Sequence, residues 1–240
     1  MKTLSKTRFF PWSTLVVGLI GFALRCWLFS DFQGGLLPAN HPAGALCFVL
    51  LALMLAAIGF AVKNLPAPTA YTDLFPQSVA AAAGTLLAAV GFGISAFSVQ
   101  GLGFLRYIVP VFGVIGAVAL AATALSRLKG RQPLWMLHCV VTVYLMLRTM
   151  ACSSAWSAQT QLQLYFFQLL ACCFLLLAGY YRVALGIRIA HPTRFVFFSQ
   201  AALFCCCLCC AENDWLFYLS AGLWMAADYC DLSFAGREIQ

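Results

Sequence analysis

Charge is what this sequence has least of. Across 240 residues only 9% are Asp, Glu, Lys or Arg, and seven acids stand against fourteen bases. A water-soluble domain needs polar side chains to cover its surface. A chain that is 63% hydrophobic, with mean hydropathy +0.92, has no such covering. Catalytic signatures are missing too. There is no Gly-rich phosphate loop, no GxSxG elbow, no HExxH pair and no Ser-His-Asp order, so nothing points to nucleotide hydrolysis or a familiar hydrolase within the chain. Any ATP coupling needs a separate partner. The last apolar run holds no lysine, which excludes a retinal Schiff base there. A disulfide framework is also absent. Twelve cysteines occur, but most lie inside apolar runs such as CCCLCC (Cys205 to Cys210), where a thiol acts as a small hydrophobe.

What the sequence has in quantity is apolar length. A bilayer span needs about 20 predominantly apolar residues, and the chain offers eight such runs. They fall near 11–30, 43–63, 77–98, 104–126, 133–155, 161–188, 194–211 and 214–230, with Pro, Gly, Asn and charges between them. The runs are continuous rather than alternating, which indicates helices and not barrel strands. The expectation is an all-α, polytopic transmembrane helical bundle of about eight spans, forming a single integral membrane domain over 1–240. Spans seven and eight, separated only by AEND (Ala211 to Asp214), form a tight hairpin. Lys2, Lys6 and Arg8 precede the first run, but Arg25 and Trp27 stand where a cleavage site belongs, so that run reads as an uncleaved span.

The net charge of +7 follows the positive-inside rule rather than indicating nucleic acid, which is not expected as a partner. With both termini on the cytoplasmic side, Lys2, Lys6, Arg8, Lys63, Arg127, Lys129, Arg131, Arg182, Arg188, Arg194 and Arg237 all lie at that face. The outer loops hold no base. This places the protein in the cell's inner, or plasma, membrane. Trp12, Trp135, Tyr180 and Tyr229 mark the inner interface, and Tyr107, Trp156, Tyr165 and Trp215 the outer one.

An internal repeat is suggested by RFFPWSTLVVGLIGFALR (8–25) and RQPLWMLHCVVTVYLMLR (131–148), which share Arg, Trp, Val, Leu and Arg at one constant offset. An offset of four spans implies two parallel four-helix halves, 1–126 and 127–240.

The three remaining bases, Arg25, Arg106 and Arg148, sit within spans or at their edges. From Trp12, Arg25 lies roughly 20 Å along its helix, in a hydrocarbon core about 30 Å thick. Arg148 lies at a similar depth. A buried arginine costs about 2.5–3.5 kcal/mol at the bilayer centre, and less toward an edge. Two outcomes follow. Each arginine snorkels or pairs with Asp31, Glu212 or Asp214. Alternatively, Arg25 and Arg148 face a shared cavity open to the outside, with Arg106 at its rim and Gln100, Gln159, Gln161, Gln163 and Gln168 as neutral donors. Planar bidentate guanidiniums suit carboxylate or phosphate. The expected function is then a transporter, or solute-binding membrane subunit, for a small anionic or zwitterionic compound, with Arg25, Arg148, Arg106 and Gln168 as binding residues.

Asp228 and Asp231 share a helical face near the cytoplasmic end of the last span, and with His138 of span five they make a conceivable divalent-metal site, though nothing in the spacing demands one. They define the alternative: an integral membrane enzyme acting on lipid headgroups at that face. The string DYCDLSFAGR (228–237) resembles the opening of the CDP-alcohol phosphotransferase signature but has Leu232 in place of its glycine and a differently spaced Ala-Arg, so membership is not inferred. Plain interfacial solvation of both aspartates is the simpler expectation. A third reading is an accessory subunit without chemistry. No catalytic residue, metal or cofactor is assigned. The expected partners are the lipid bilayer, a small anionic solute, and a second copy or partner subunit.

Overall fold

In the computed structural model, residues 10–31, 41–63, 78–99, 103–129, 135–156, 165–187, 189 and 192–234 are described, apart from the side chains at 10, 11, 155, 156 and 229–234. They form eight helices: α1 (Phe10–Ser30), α2 (Pro42–Lys63), α3 (Val79–Ser95, extended by a 3-10 turn), α4 (Leu105–Leu128), α5 (Trp135–Trp156), α6 (Phe166–Gly186), α7 (Pro192–Cys209) and α8 (Trp215–Phe234). Among the described residues there is no strand. The first seven helices are long and apolar enough to cross a bilayer. The fold is an all-α polytopic bundle in a membrane-type solvent.

The burial pattern of each helix shows its place. On α2 the buried residues are Ala43, Cys47, Leu51, Met54, Ile58 and Val62, a single stripe at helical spacing. Such a helix packs on one side only and sits at the periphery, against α1 and α7. On α7 burial runs almost continuously from Phe195 to Cys209. It is hydrophobic and enclosed all round, with α1, α2, α6 and α8 as neighbours. The α8 helix is buried on most of its surface and packs between α3 and α7. It runs to Phe234, four residues beyond the expected limit of 230, which carries position 231 as well as 228 within the helix.

Small residues set the closest approaches, as is usual where lipid gives helices no hydrophobic drive to associate. Gly91 of α3 lies against Ser220 of α8, Gly113 of α4 against Ala96 and Tyr144, and Gly179 of α6 against Thr142 of α5. Between α1 and α2, Asp31 accepts a hydrogen bond from His41 at 3.0 Å, while His41 Nδ1 accepts the N–H of Ala43. That ring caps a helix whose first residue, Pro42, has no N–H to satisfy.

Polar contacts fix an up-and-down order. The ends of α1, α3 and α5 meet the starts of α2, α6 and α8 at one end of the bundle, called upper below. The ends of α4, α6 and α8 meet the start of α3 at the lower end. Both α6 and α2 lie along α7. Five cytoplasmic-side bases of the sequence reading, Lys63, Arg127, Lys129, Arg182 and Arg194, occupy the lower ends of their helices. Lys2, Lys6, Arg8, Arg131, Arg188 and Arg237 lie outside the described residues. Trp12, Tyr107, Tyr180 and Trp215 are exposed near helix ends, where interfacial aromatics belong.

A side chain at Gly91 collides directly. A Cβ there would lie 1.8 Å from Ser220 Oγ and 2.8 Å from its Cβ. Gly91→Val is expected to destabilise the bundle by about 1–3 kcal/mol through overpacking, read as a lower melting temperature in detergent. Gly44→Ala, with open space at its Cβ, should leave that temperature unchanged or raise it.

Candidate functional site

Two layers of buried charge organise the bundle. In the upper layer, Arg25 reaches inward from the last third of α1, and Arg148 does the same from α5. They are 2% and 1% exposed, so neither faces lipid. Arg25 makes an ion pair with Glu212, and the Gln168 amide of α6 donates to the second oxygen of the same carboxylate. The guanidinium of Arg25 also lies 4.8 Å from the Phe29 ring and 5.0 Å from that of Phe167. Phe29 is one turn away on α1, so the helix supplies part of the arginine's own cover.

Arg148 is held differently. Its Nη1 donates to the Ser95 carbonyl at 3.0 Å and to Tyr144 Oη at 3.2 Å, and its Nη2 lies 3.2 Å from Asp214 Oδ2. The Phe217 ring sits 3.8 Å from the guanidinium carbon. The Ser95 carbonyl is available because α3 ends there in a 3-10 turn. Tyr144 and Arg148 are one turn apart on α5, and Asp214 and Phe217 one turn apart at the start of α8.

Both upper arginines therefore find their carboxylates on the short α7–α8 loop, two residues apart. The loop carries its own backbone bonds: Glu212 N–H donates to the Cys209 carbonyl at 3.1 Å, and Trp215 N–H to that of Glu212. Burial pushes the Glu212 carboxyl up to about 7 despite the Arg25 charge beside it, with Asp214 adding to the rise. Asp214 keeps 29% of its side chain exposed, against 5% for Glu212.

The lower layer is more enclosed. Arg127 Nη2 donates to Asp228 Oδ1 at 2.6 Å, and its Nη1 to Thr85 Oγ1 at 3.3 Å. Arg182 Nη1 lies 2.8 Å from Asp228 Oδ2. All three charged residues are buried. The expectation of a solvated carboxylate thus does not hold for Asp228, because α4 and α6 each turn an arginine onto it. His138 is wholly buried, stacked on Trp224 at 6.2 Å between ring centroids. The Asp231 side chain lies outside the described residues.

The sequence-predicted residues are brought together in part. Arg25 and Gln168 meet on Glu212, and Arg148 joins them through the same loop. Arg106 is exposed in the first turn of α4 and makes no ion pair among the described residues. Gln100, Gln159, Gln161 and Gln163 lie outside those residues. Arg127 and Arg182 were read only as topology markers. One signal was available: Arg182 is followed by five more residues of apolar run before the next base, which places it inside a span and not at its end. No disulfide and no cluster of three or more His, Cys, Asp or Glu suited to a metal occurs among the described residues. Cys205, Cys206 and Cys209 are buried within the core of α7.

Compared with family models, with curated proteins and with solved structures, the chain matches none.

Chemically, the upper layer can exchange guanidinium partners and take up a proton. The lower layer has its carboxylate committed twice over.

Two outcomes test this contrast. Between about pH 4.5 and 7 the folded protein keeps on Glu212 a proton that the unfolded chain has released. Stability is therefore fullest below 4.5 and falls as pH rises to about 7. Glu212→Gln should flatten that part of the melting-temperature profile, and the Glu212 carboxyl infrared band should titrate near 7. Asp228→Asn is expected to cost about 3–5 kcal/mol in detergent unfolding, because two buried arginines lose their shared carboxylate. Asp214→Asn should cost less, because the Asp214 side chain is 29% exposed and Arg148 still has the Ser95 carbonyl and Tyr144 hydroxyl as acceptors.

Proposed function

We propose that the protein is a transporter, or the solute-binding membrane subunit of one, for a small anionic or zwitterionic compound. It sits in the cell's inner membrane with both termini cytoplasmic, so the upper layer faces outward. The single observation that supports this reading is the sharing of one loop by two embedded arginines. A solute carboxylate or phosphate that displaces Glu212 and Asp214 inherits two planar, pre-oriented guanidiniums on aromatic cushions. A zwitterion also offers its ammonium to the released loop acids. One movement of the loop between α7 and α8 exposes both arginines together.

Proton release fits the same step. Burial raises the proton affinity of Glu212 in the closed layer and exposure to water lowers it, so loss of that proton as pH rises through about 7 favours opening of the layer toward solute. In this reading the loop moves against α1 and α5, rather than one half of the bundle against the other. The enzyme alternative draws less support. Asp228 is already engaged by two arginines, which leaves no free carboxylate among the described residues there to hold a metal or activate water.

The test is ligand-induced thermal stabilisation of the purified protein, screened against anionic and zwitterionic metabolites at pH 6 and pH 8. A binder is expected to raise the melting temperature of the wild type and of Arg106→Gln. The shift should vanish in the charge-balanced pairs Arg25→Gln/Glu212→Gln and Arg148→Gln/Asp214→Asn, which avoid leaving a buried charge alone. Stabilisation that survives in both pairs removes the arginine site, and a protein that responds to no metabolite at either pH fits an accessory subunit instead.

A further inference from the structure

A groove opens at the lower end of the bundle, where α2, α6 and α7 meet. Its volume is about 540 Å3. Two cations stand at its mouth, Lys63 at the end of α2 and Arg194 in the first turn of α7. Both are exposed, and among the described residues neither makes an ion pair and no acid lines the groove. The body below them is apolar and aromatic. Tyr181 and Phe198 stack face to face at 5.2 Å and 5°, and Phe197 meets Phe198 edge-on at 5.2 Å. These rings form a stiff wall, because each is fixed by the next. Gly59 forms the opposite side: a Cβ there would lie 3.8 Å from the Phe197 ring, and the missing side chain is what leaves the groove open.

From this geometry we infer that the groove is a binding site for one anionic glycerophospholipid. The headgroup phosphate lies between Lys63 and Arg194, and an acyl chain runs along Phe197, Phe198 and Gly59. Charge complementarity chooses this occupant. A zwitterionic lipid brings its own cation to a mouth that already holds two, whereas an anionic headgroup meets only opposite charge. A free phosphate would use the mouth and leave the aromatic wall without purpose. Depth agrees as well. Lys63 and Arg194 are terminal residues of spanning helices, at the level of lipid headgroups, and the rings lie within one to one and a half turns of them on the acyl side. The groove is separate from both buried charge layers, so this inference stands whether or not a solute is transported.

The test is native mass spectrometry of the detergent-purified protein, titrated with phosphatidylglycerol and with phosphatidylcholine of the same acyl chains. Phosphatidylglycerol is expected to bind at least about tenfold more tightly, as two headgroup-level bases imply. Lys63→Gln/Arg194→Gln should bring the two lipids to near parity. Gly59→Leu should weaken phosphatidylglycerol binding with both cations intact, because it fills the groove. Melting temperatures of these variants in phosphatidylcholine nanodiscs, equal to wild type, show that the fold is intact. Inorganic phosphate at millimolar concentration should not displace the lipid. Equal binding of both lipids overturns the inference, as does a preference that survives the double substitution or displacement by phosphate alone.

Discussion

A guanidinium keeps its charge wherever it is placed, so an arginine inside an apolar bundle obliges other groups to come to it. Among the described residues four arginines are buried: Arg25, Arg127, Arg148 and Arg182. The acids that meet them, Glu212, Asp214 and Asp228, all belong to the α7–α8 hairpin. That pairing requires the C-terminal hairpin to lie at the centre, with α1, α4, α5 and α6 each turning an arginine toward it. The near-complete burial of α7 and the position of α8 between α3 and α7 follow from this demand.

Buried ion pairs add little net stability, since the cost of desolvation offsets much of the attraction. Their contribution here is to register. The upper layer holds α1, α5 and α6 to the top of the hairpin, and the lower layer holds α3, α4 and α6 to its bottom. Sliding α8 by one turn, about 5.4 Å, would carry Asp228 out of reach of Arg127 and Asp214 out of reach of Arg148 at the same time. Aliphatic contacts and small-residue contacts alone tolerate such slips far better, because one Leu-lined groove resembles the next.

The helical bundle was legible from composition because apolar runs of span length admit only one class of structure in lipid. Helix limits emerged for the same reason, and Arg25 and Arg148 drew attention by their depth. Arg127, Arg182 and Asp228 were not legible in the same way. A rule that counts bases near span ends reads depth along the membrane normal but carries no information about which side of a helix a residue occupies. Arg127 is the second-last residue of α4 and would face headgroups if rotated by half a turn of the wheel; packing on α3 and α5 turns it inward, onto Asp228, instead. The matching arginines of spans one and five were legible as a pair by their depth, and both reach the one α7–α8 loop from two sides.

The two layers differ in how freely they can change. In the lower layer one carboxylate serves two arginines, Thr85 adds a further acceptor, and His138 and Trp224 seal the surroundings. Opening it would strand several charges at once in an apolar interior. In the upper layer each arginine has its own acid, the acids ride on a five-residue connection, Asp214 is partly wet, and Glu212 is near its protonation midpoint at neutral pH. Loss of one pair there can be met by a proton or by water. Motion in the bundle therefore belongs to the upper end, with the doubly bound Asp228 as the fixed point about which the C-terminal hairpin would tilt.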